Sequence, residues 1–323
     1  MKELQELLNK SKRIGITGHV RPDGDCVGSC LGLYLYLMEN YNQNKEKVID
    51  LYLERIPEEF SFLPGVDQIN HEYPDADDYD MFFALDCGSL DRLGQAQKYV
   101  TAAGVVINID HHISNTGFAT KTIMDVGASS TSELLYTLVD PDKITKDVAV
   151  AWYLGIVHDT GVFKHSNTTE QTMCIAGRLI TLGAQPSKII DETFYQKTYI
   201  QNQILGRCLM ESILVMEGKV IIGSITRKEQ EFYQILPSDL DGVIDQLRVT
   251  KGVEVAIFIR EEELCEYKVS MRSNGMVDVS KIAVFFGGGG HVKAAGCGMK
   301  GTYHDVVNNL TAHIEHQISQ FDN

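Results

Sequence analysis

The stretch GHVRPDGDCVGS, residues 18–29, brings His19, Asp23 and Asp25 together between an apolar run and a helical pattern. Carboxylates this close repel one another unless positive charge lies among them, and a cation is the simplest way to supply it. The same residue types recur at two further places. Asp86 follows the apolar run MFFAL, and Asp110-His111-His112 follows VVINI. A fourth acid, Asp159, closes the apolar segment AVAWYLGIV and precedes Thr160-Gly161, where a helical pattern stops. Each feature alone has a plain explanation, since an Asp after a strand often caps a helix and a His pair in a loop is usually solvated. The plain explanation weakens when it must hold at every one of these positions.

Apolar β-type runs at Arg13 to Thr17, Lys47 to Leu53, Asp80 to Leu85 and Gly104 to Ile109 alternate with helical patterns, among them Gly28 to Met38 and Gln95 to Ala103. That rhythm predicts an α/β fold whose N-terminal part is a mostly parallel sheet flanked by helices. The carboxyl ends of parallel strands lie along one edge, where ligand sites form, so the clusters after these runs are expected to converge. Helical patterns dominate from Ser129 to about Met216, covering Ser132 to Val139, Asp147 to Val157, Thr169 to Leu182 and a stretch from Tyr199. After Gly218 the character changes. Lys219 to Thr226, Val253 to Arg260 and Glu266 to Met271 read as strands, with Glu261-Glu262-Glu263 as an acidic turn; Leu240 to Arg248 and Tyr303 to Ile318 read as helices. The expected organisation is a metal-binding domain over 1–190, a helical connection over 191–217 and a smaller α/β domain over 218–323.

A chain of 323 residues can build two hydrophobic cores, and 44% hydrophobic with 23% charged residues is the balance of a globular protein. The net charge of −15 argues against a duplex-DNA binder, which needs an extended basic surface to displace counterions. A local cationic pocket can still hold a small anion. No segment has the roughly 20 apolar residues of a membrane span, and MKELQELLNKSKR is a short amphipathic pattern without a signal-type core. Seven scattered cysteines without a CxxC pair fit reduced thiols, so a cytoplasmic location without membrane contact is expected.

Beyond these residue-level readings, HVRPDGDCVGS, LDCGS, NIDHHISN and HDTGVF resemble the ordered motifs of the DHH phosphoesterases, while VSMRSNG and FFGGGGHVKAAGC resemble their substrate-binding DHHA1 domain. The resemblance implies that His19 and Asp23 hold one metal ion, that Asp25, His111 and Asp159 hold a second, and that Asp86 bridges them. It implies two-metal hydrolysis of a phosphate ester, with His112 facing the substrate and helping the leaving oxygen. Asp110 is read as the acidic partner that orients a neighbouring imidazole. Nitrogen and oxygen donors without thiolate favour Mn²⁺, with Mg²⁺ or Co²⁺ as substitutes. Cys26 and Cys87 neighbour two of these positions and are read as packing. His158 departs from the family pattern, where a small or hydroxyl residue is expected, and could tune Asp159 or simply pack.

In the second domain the resemblance implies that Arg272 and His291 hold a terminal phosphate or nearby polar groups, with Ser273, Gly289 and Gly290 shaping the pocket. Consecutive glycines allow backbone N–H groups close to an anion. Lys164, Arg207 and Lys293 carry little signal and are read as solvated. A cleft between the domains would then favour short substrates. Within the superfamily the length resembles bifunctional oligoribonucleases that trim RNAs of a few nucleotides and dephosphorylate 3′-phosphoadenosine-5′-phosphate (pAp). Phosphodiesterases of cyclic di-AMP or pApA are the alternative, and a nucleotide-binding regulator without catalysis is the distant one. The expected partners are short RNA or a small nucleotide, and a homodimer is compatible with the chain.

Overall fold

In the computed structural model, which describes residues 2–75 and 78–320, the chain forms two compact units, Met1–Gln196 and Lys197–Asn323. The first is built on β1 (Arg13–Thr17), β2 (Val48–Tyr52), β3 (Ile69–Asn70), β4 (Met81–Leu85), β5 (Val105–Asp110) and β6 (Lys121–Met124), in the order β3-β2-β1-β4-β5-β6. Every neighbouring pair is parallel. Strands of such sheets are covered on both faces, which is why β4 is a continuous apolar run, all five residues buried. The order reverses direction between β1 and β4, the place where α/β sheets open a crevice at their carboxyl ends.

Helices Gly24–Tyr41 and Lys146–Asp159 pack together, with Trp152 of the second fully buried against Gly32 and Tyr36 of the first. Glycine sets how close they come: a Cβ on Gly28 would lie 2.5 Å from the Ala151 carbonyl oxygen and 2.9 Å from Gly155 N. The backbones touch there. This crossing fixes the start of one helix beside the end of the other.

The second unit carries β7 (Ile213–Val215), β8 (Val220–Ile225), β9 (Val255–Glu263), β10 (Glu266–Ser273), β11 (Gly289–His291) and β12 (Ala294–Lys300), ordered β11-β12-β10-β9-β8-β7. Only β8 and β9 pair in parallel. One sheet face, with Ile257, Ile259, Val269, Met271, Ala295 and Cys297, is buried beneath helices Val279–Phe285 and Tyr303–Ile318. On the other face, helices Tyr199–Met210 and Val243–Arg248 cover the β8–β9 side through Ile204, Cys208, Leu247 and Phe258. Lys268, Ser270 and Arg272 of β10 and Gly296 and Gly298 of β12 lie on that face beyond the cover. Segment 197–217 packs with this second unit, since β7 pairs with β8 and Ile204 joins its core.

The two-part α/β architecture agrees with the sequence, and two local details differ. The acidic triplet Glu261–Glu263 extends β9 instead of turning, because its side chains run past the core into solvent; the turn falls at Leu264–Cys265. The helix expected from Gly28 begins at Gly24, since Asp23 caps it. Gly289–His291 form the edge strand β11, and Gly290, at φ +143°, lies so near β12 that a Cβ would meet Ala295 Cα at 2.5 Å.

Candidate metal centre

The carboxyl ends of β1, β4 and β5 place His19, Asp86 and Asp110-His111-His112 side by side. Asp86 is central. Just past β4 its backbone turns into the left-handed region at φ +52°, a conformation Asp adopts more readily than most residues. Its carboxylate lies 3.5 Å from His19 Nε2, 3.6 Å from His111 Nε2 and 3.6 Å from His112 Nδ1, and it accepts a hydrogen bond from Thr131 Oγ1 at 3.1 Å.

Both flanking imidazoles are oriented by main chain. His19 Nδ1–H donates to the Val20 carbonyl at 2.9 Å and His111 Nδ1–H to the Ala128 carbonyl at 3.3 Å. A carbonyl can only accept, so each ring keeps its proton on Nδ1 and turns the Nε2 lone pair toward the carboxylates. Asp159 Oδ2 is 3.0 Å from His111 Nε2 without the alignment of a hydrogen bond, leaving that buried nitrogen unpartnered. Acceptors facing acceptors in this way need a cation among them.

Asp23 serves twice. One oxygen caps helix Gly24–Tyr41 by accepting from Cys26 N at 3.1 Å, and the other lies 3.5 Å from His19 Nε2. Asp25, in the first turn, is fully buried and receives the N–H groups of Thr131 at 2.6 Å and Ser132 at 3.0 Å. Those donors begin helix Thr131–Leu138, whose positive end suits a carboxylate. Donor atoms of Asp25, His111 and Asp159 lie within 4.8 Å of one another, as do those of Asp86, His111 and His112, and of His19, Cys26 and Asp86.

The charge balance gives the same answer. Burial, then the charges of Asp86 and Asp159, push the Asp25 carboxyl well above its ordinary range, and burial with Asp86 raises Asp159. Burial opposes charge on His19, yet Asp23 and Asp86 raise it to about 11; against the same penalty Asp159, Asp25 and Asp86 raise His111 to about 10. The cluster therefore takes up protons unless other cations replace them, and its imidazole and carboxylate donors fit divalent ions. Cys26 is a poor candidate donor: burial and Cys30 keep its thiol protonated. Cys87 is buried among aromatic residues, with Sγ–H donating to the Ser89 carbonyl.

His112 is differently built. Asp110, fully buried, accepts from His112 Nδ1–H at 2.7 Å, from the N–H groups of His111 and His112, and from Asn115 Nδ2 at 2.6 Å. Burial works against its charge, but His112 and Asn115 hold the Asp110 carboxyl below its usual range. With Nδ1 engaged, Nε2 is the free nitrogen of a half-exposed ring.

Sequence reasoning missed Thr131, Ser132 and Glu133. Glu133 is buried and accepts from Ser129 N at 3.2 Å, Ser129 Oγ and Thr172 Oγ1 at 2.8 Å, fixing the loop whose carbonyl at Ala128 orients His111. The signal was GASSTSE, residues 127–133, a polar run with capping residues just before a helix. Asn115, holding Asp110, carried no comparable signal.

His158 packs. Its ring lies between Phe60 and Phe194 and against Gly24, where a Cβ would be 2.1 Å from His158 Cγ. Burial lowers its pKa to about 4. The folded protein thus disfavours the imidazolium, so stability from neutral His158 is present above the unfolded-state value near 6.5 and is lost as pH falls toward 4. His158→Leu is expected to flatten this loss, on the order of 3 kcal/mol, when urea unfolding is compared at pH 7 and 4.5. An unchanged difference between the two pH values would contradict it.

In the second unit, register aligns Arg272, Ala294 and His291 across β10, β12 and β11, so Arg272 and His291 flank a small residue on one face. Arg272 Nε is 3.7 Å from Asp245 Oδ1. Ser273 alternates to the buried face, its Oγ donating to Glu254 at 3.1 Å. Gly289, Gly290 and His291 are exposed on the edge strand; Lys164, in the first unit, and Lys293, in the turn after β11, are also exposed, and Arg207 is paired with Glu229 and Glu211.

Comparisons with known proteins define the class. The DHH family N-terminal domain model matches residues 13–156 and the DHHA1 domain model residues 217–320. The chain belongs to the DHH family and is a metal-dependent phosphoesterase, a hydrolase of ester bonds. Among its relatives is the bifunctional oligoribonuclease and PAP phosphatase NrnA of Thermus thermophilus, 30% identical over 292 residues, covering 89% of this chain and 84% of the relative. NrnA of Bacillus subtilis is 28% identical over 304 residues, 92% of each chain. The crystal structure of an exopolyphosphatase-related protein from Bacteroides fragilis superposes with a TM-score of 0.84 at 25% identity, covering 100% of this chain and 97% of the other. Among the described residues no helix is long and apolar enough to cross a membrane.

Proposed function

We propose that this phosphoesterase hydrolyses short oligoribonucleotides to mononucleotides and removes the 3′-phosphate of pAp, using two divalent cations, Mn²⁺ by preference. The observation carrying the reading is the ring of carboxylates and proton-fixed imidazoles around Asp86, with the Asp110-held His112 at its rim. The names of the Thermus and Bacillus relatives support the substrate class. His19 and Asp23 would hold one ion, Asp25, His111 and Asp159 the other, with Asp86 shared. When bound, such ions offset charge on the phosphate and activate water toward phosphorus.

The chain's own residues do the rest. Thr131 and Ser132 hold Asp86 and Asp25 in place, and the Val20 and Ala128 carbonyls keep both ring lone pairs inward. His112, its pKa raised chiefly by Asp110, keeps a proton at Nε2 for the departing oxygen. In this reading residues 1–190 carry the chemistry, 191–217 connect, and Arg272 with His291 in 218–323 grips the substrate end. Free cysteines throughout fit a reducing cytoplasm.

The test is one panel: purified protein with Mn²⁺ on a ribodinucleotide, short RNA, pAp, pApA and cyclic di-AMP. Mononucleotide release from the dinucleotide and short RNA, and phosphate release from pAp, are expected. Preferred opening of cyclic di-AMP would replace the reading, and tight binding with no turnover would make the chain a nucleotide-binding regulator.

A further inference from the structure

Asp159 ends its helix and opens a turn that the backbone resists. Gly161, Val162 and Phe163 follow one another at φ +53°, +59° and +61°. Glycine tolerates the left-handed region, but a β-branched valine there is a true outlier and persists only when its surroundings over-determine it. At the near end the buried Thr160 does this. Its Oγ1 donates to the Ile156 carbonyl at 2.6 Å and accepts from Phe163 N at 3.0 Å, and its carbonyl accepts from Lys164 N and His165 N, each at 2.9 Å. At the far end stands Asn167. Its Nδ2 donates to the Ser129 carbonyl at 3.0 Å and to the Asp159 carbonyl at 3.2 Å. Carbonyls only accept, so these two partners fix which way the amide faces and occupy both of its N–H donors. Its Oδ1 is buried without a partner among the described residues, a cost that an apolar side chain would avoid, so the two donated bonds are what the position needs.

The two carbonyls belong to the supports of three neighbouring donors. Ser129 follows Ala128, whose carbonyl orients His111, and lies two residues before Thr131, whose N–H holds Asp25. Asp159 is the third, and the donor atoms of the three lie within 4.8 Å of one another. We propose that Asn167 is a positioning residue for one ion of the pair: it fastens the strained turn to the Ser129 loop, so that Asp159 faces Asp25 and His111 before any ion arrives. His19 and Asp23 are supported elsewhere, by the Val20 carbonyl and by Cys26 N. The inference rests on the proposed two-ion reading for what the three donors hold, and adds that the two ions depend on different supports.

The probes are Mn²⁺ alone, followed by calorimetry, and amide hydrogen exchange of the metal-free full-length protein. In Asn167→Ala, exchange of the amides of residues 161–165 is expected to quicken, because their hydrogen bonds depend on closure of the turn. One of the two Mn²⁺ binding steps is expected to weaken about 10–100-fold, the range for removing a support behind a metal ligand, and the other to stay unchanged. Asn167→Ser, which keeps a single donor, should fall between Asn167→Ala and the parent. In both variants kcat on a ribodinucleotide should recover as Mn²⁺ fills the weakened step, with KM for the dinucleotide unmoved. A defect of folding would weaken both steps alike. Equal weakening of both steps, or two unchanged steps, overturns the inference. A parent that takes up a single ion sinks the two-ion reading, yet faster exchange and weaker uptake of that ion in Asn167→Ala still place Asn167 behind its donors. Two ions and full turnover in the parent, with exchange and affinities unmoved in both variants, do the reverse.

Discussion

Asp86→Asn is expected to lower turnover of a ribodinucleotide by about a thousandfold or more, and calorimetry is expected to find fewer Mn²⁺ ions bound than in the parent. The magnitude follows from removing a charged partner at the point where reacting charge is held, a class of change that costs about 10²–10³ even for a neutral donor. Asparagine keeps the shape, can still accept from Thr131 Oγ1, and tolerates the left-handed backbone at this position. The loss is therefore one of charge and coordination, not of fold, and thermal unfolding of the metal-free variant should match the parent or exceed it, since a buried like-charge interaction has gone. Near-normal rates at saturating Mn²⁺ would remove Asp86 from the centre of the mechanism.

The second large effect separates His112 from its partner. His112→Ala should cost about 10²–10⁴ in kcat, the range of a positioned proton donor. Asp110→Asn should fall in the same range by another route, because an amide no longer guarantees an acceptor at His112 Nδ1. The two differ in pH profile. Asp110 is the chief cause of the raised His112 pKa, so in Asp110→Asn the basic limb, where activity needs a protonated ring, should move to lower pH. His112→Ala should have no such limb. Identical profiles in both variants would mean that His112 only packs.

The sequence was informative where one residue carries two constraints. Asp23 reads as a ligand candidate, and the structure gives one of its oxygens to a helix cap while the other faces His19. The parallel sheet was legible because fully covered strands such as MFFAL have no polar alternation. Thr131, Ser132 and Glu133 were not, since apart from the Thr131 hydroxyl on Asp86 they act through backbone N–H groups and a carboxylate that touches only hydroxyls and main chain, and GASSTSE reads first as an ordinary helix start. Main-chain donors leave no residue type to recognise. The short strands β3 and β6 escaped for a different reason: two and four residues are too few to show a period. The glycine run was legible only as a signal of close approach, because freedom to approach an anion and freedom to approach a neighbouring strand call for the same residue.

The glycine crossing of Gly28 with Ala151 and Gly155 also bears on how this centre can change. Asp25 and Asp159 ride on helices that meet main chain to main chain, and a Cβ on Gly155 would strike Ser132 Oγ at 2.0 Å and Asp25 Oδ1 at 2.5 Å. No slack exists for sliding one donor past another. In the proposed metal centre, a change of ion preference is therefore expected to come from exchanged side chains rather than from altered helix spacing.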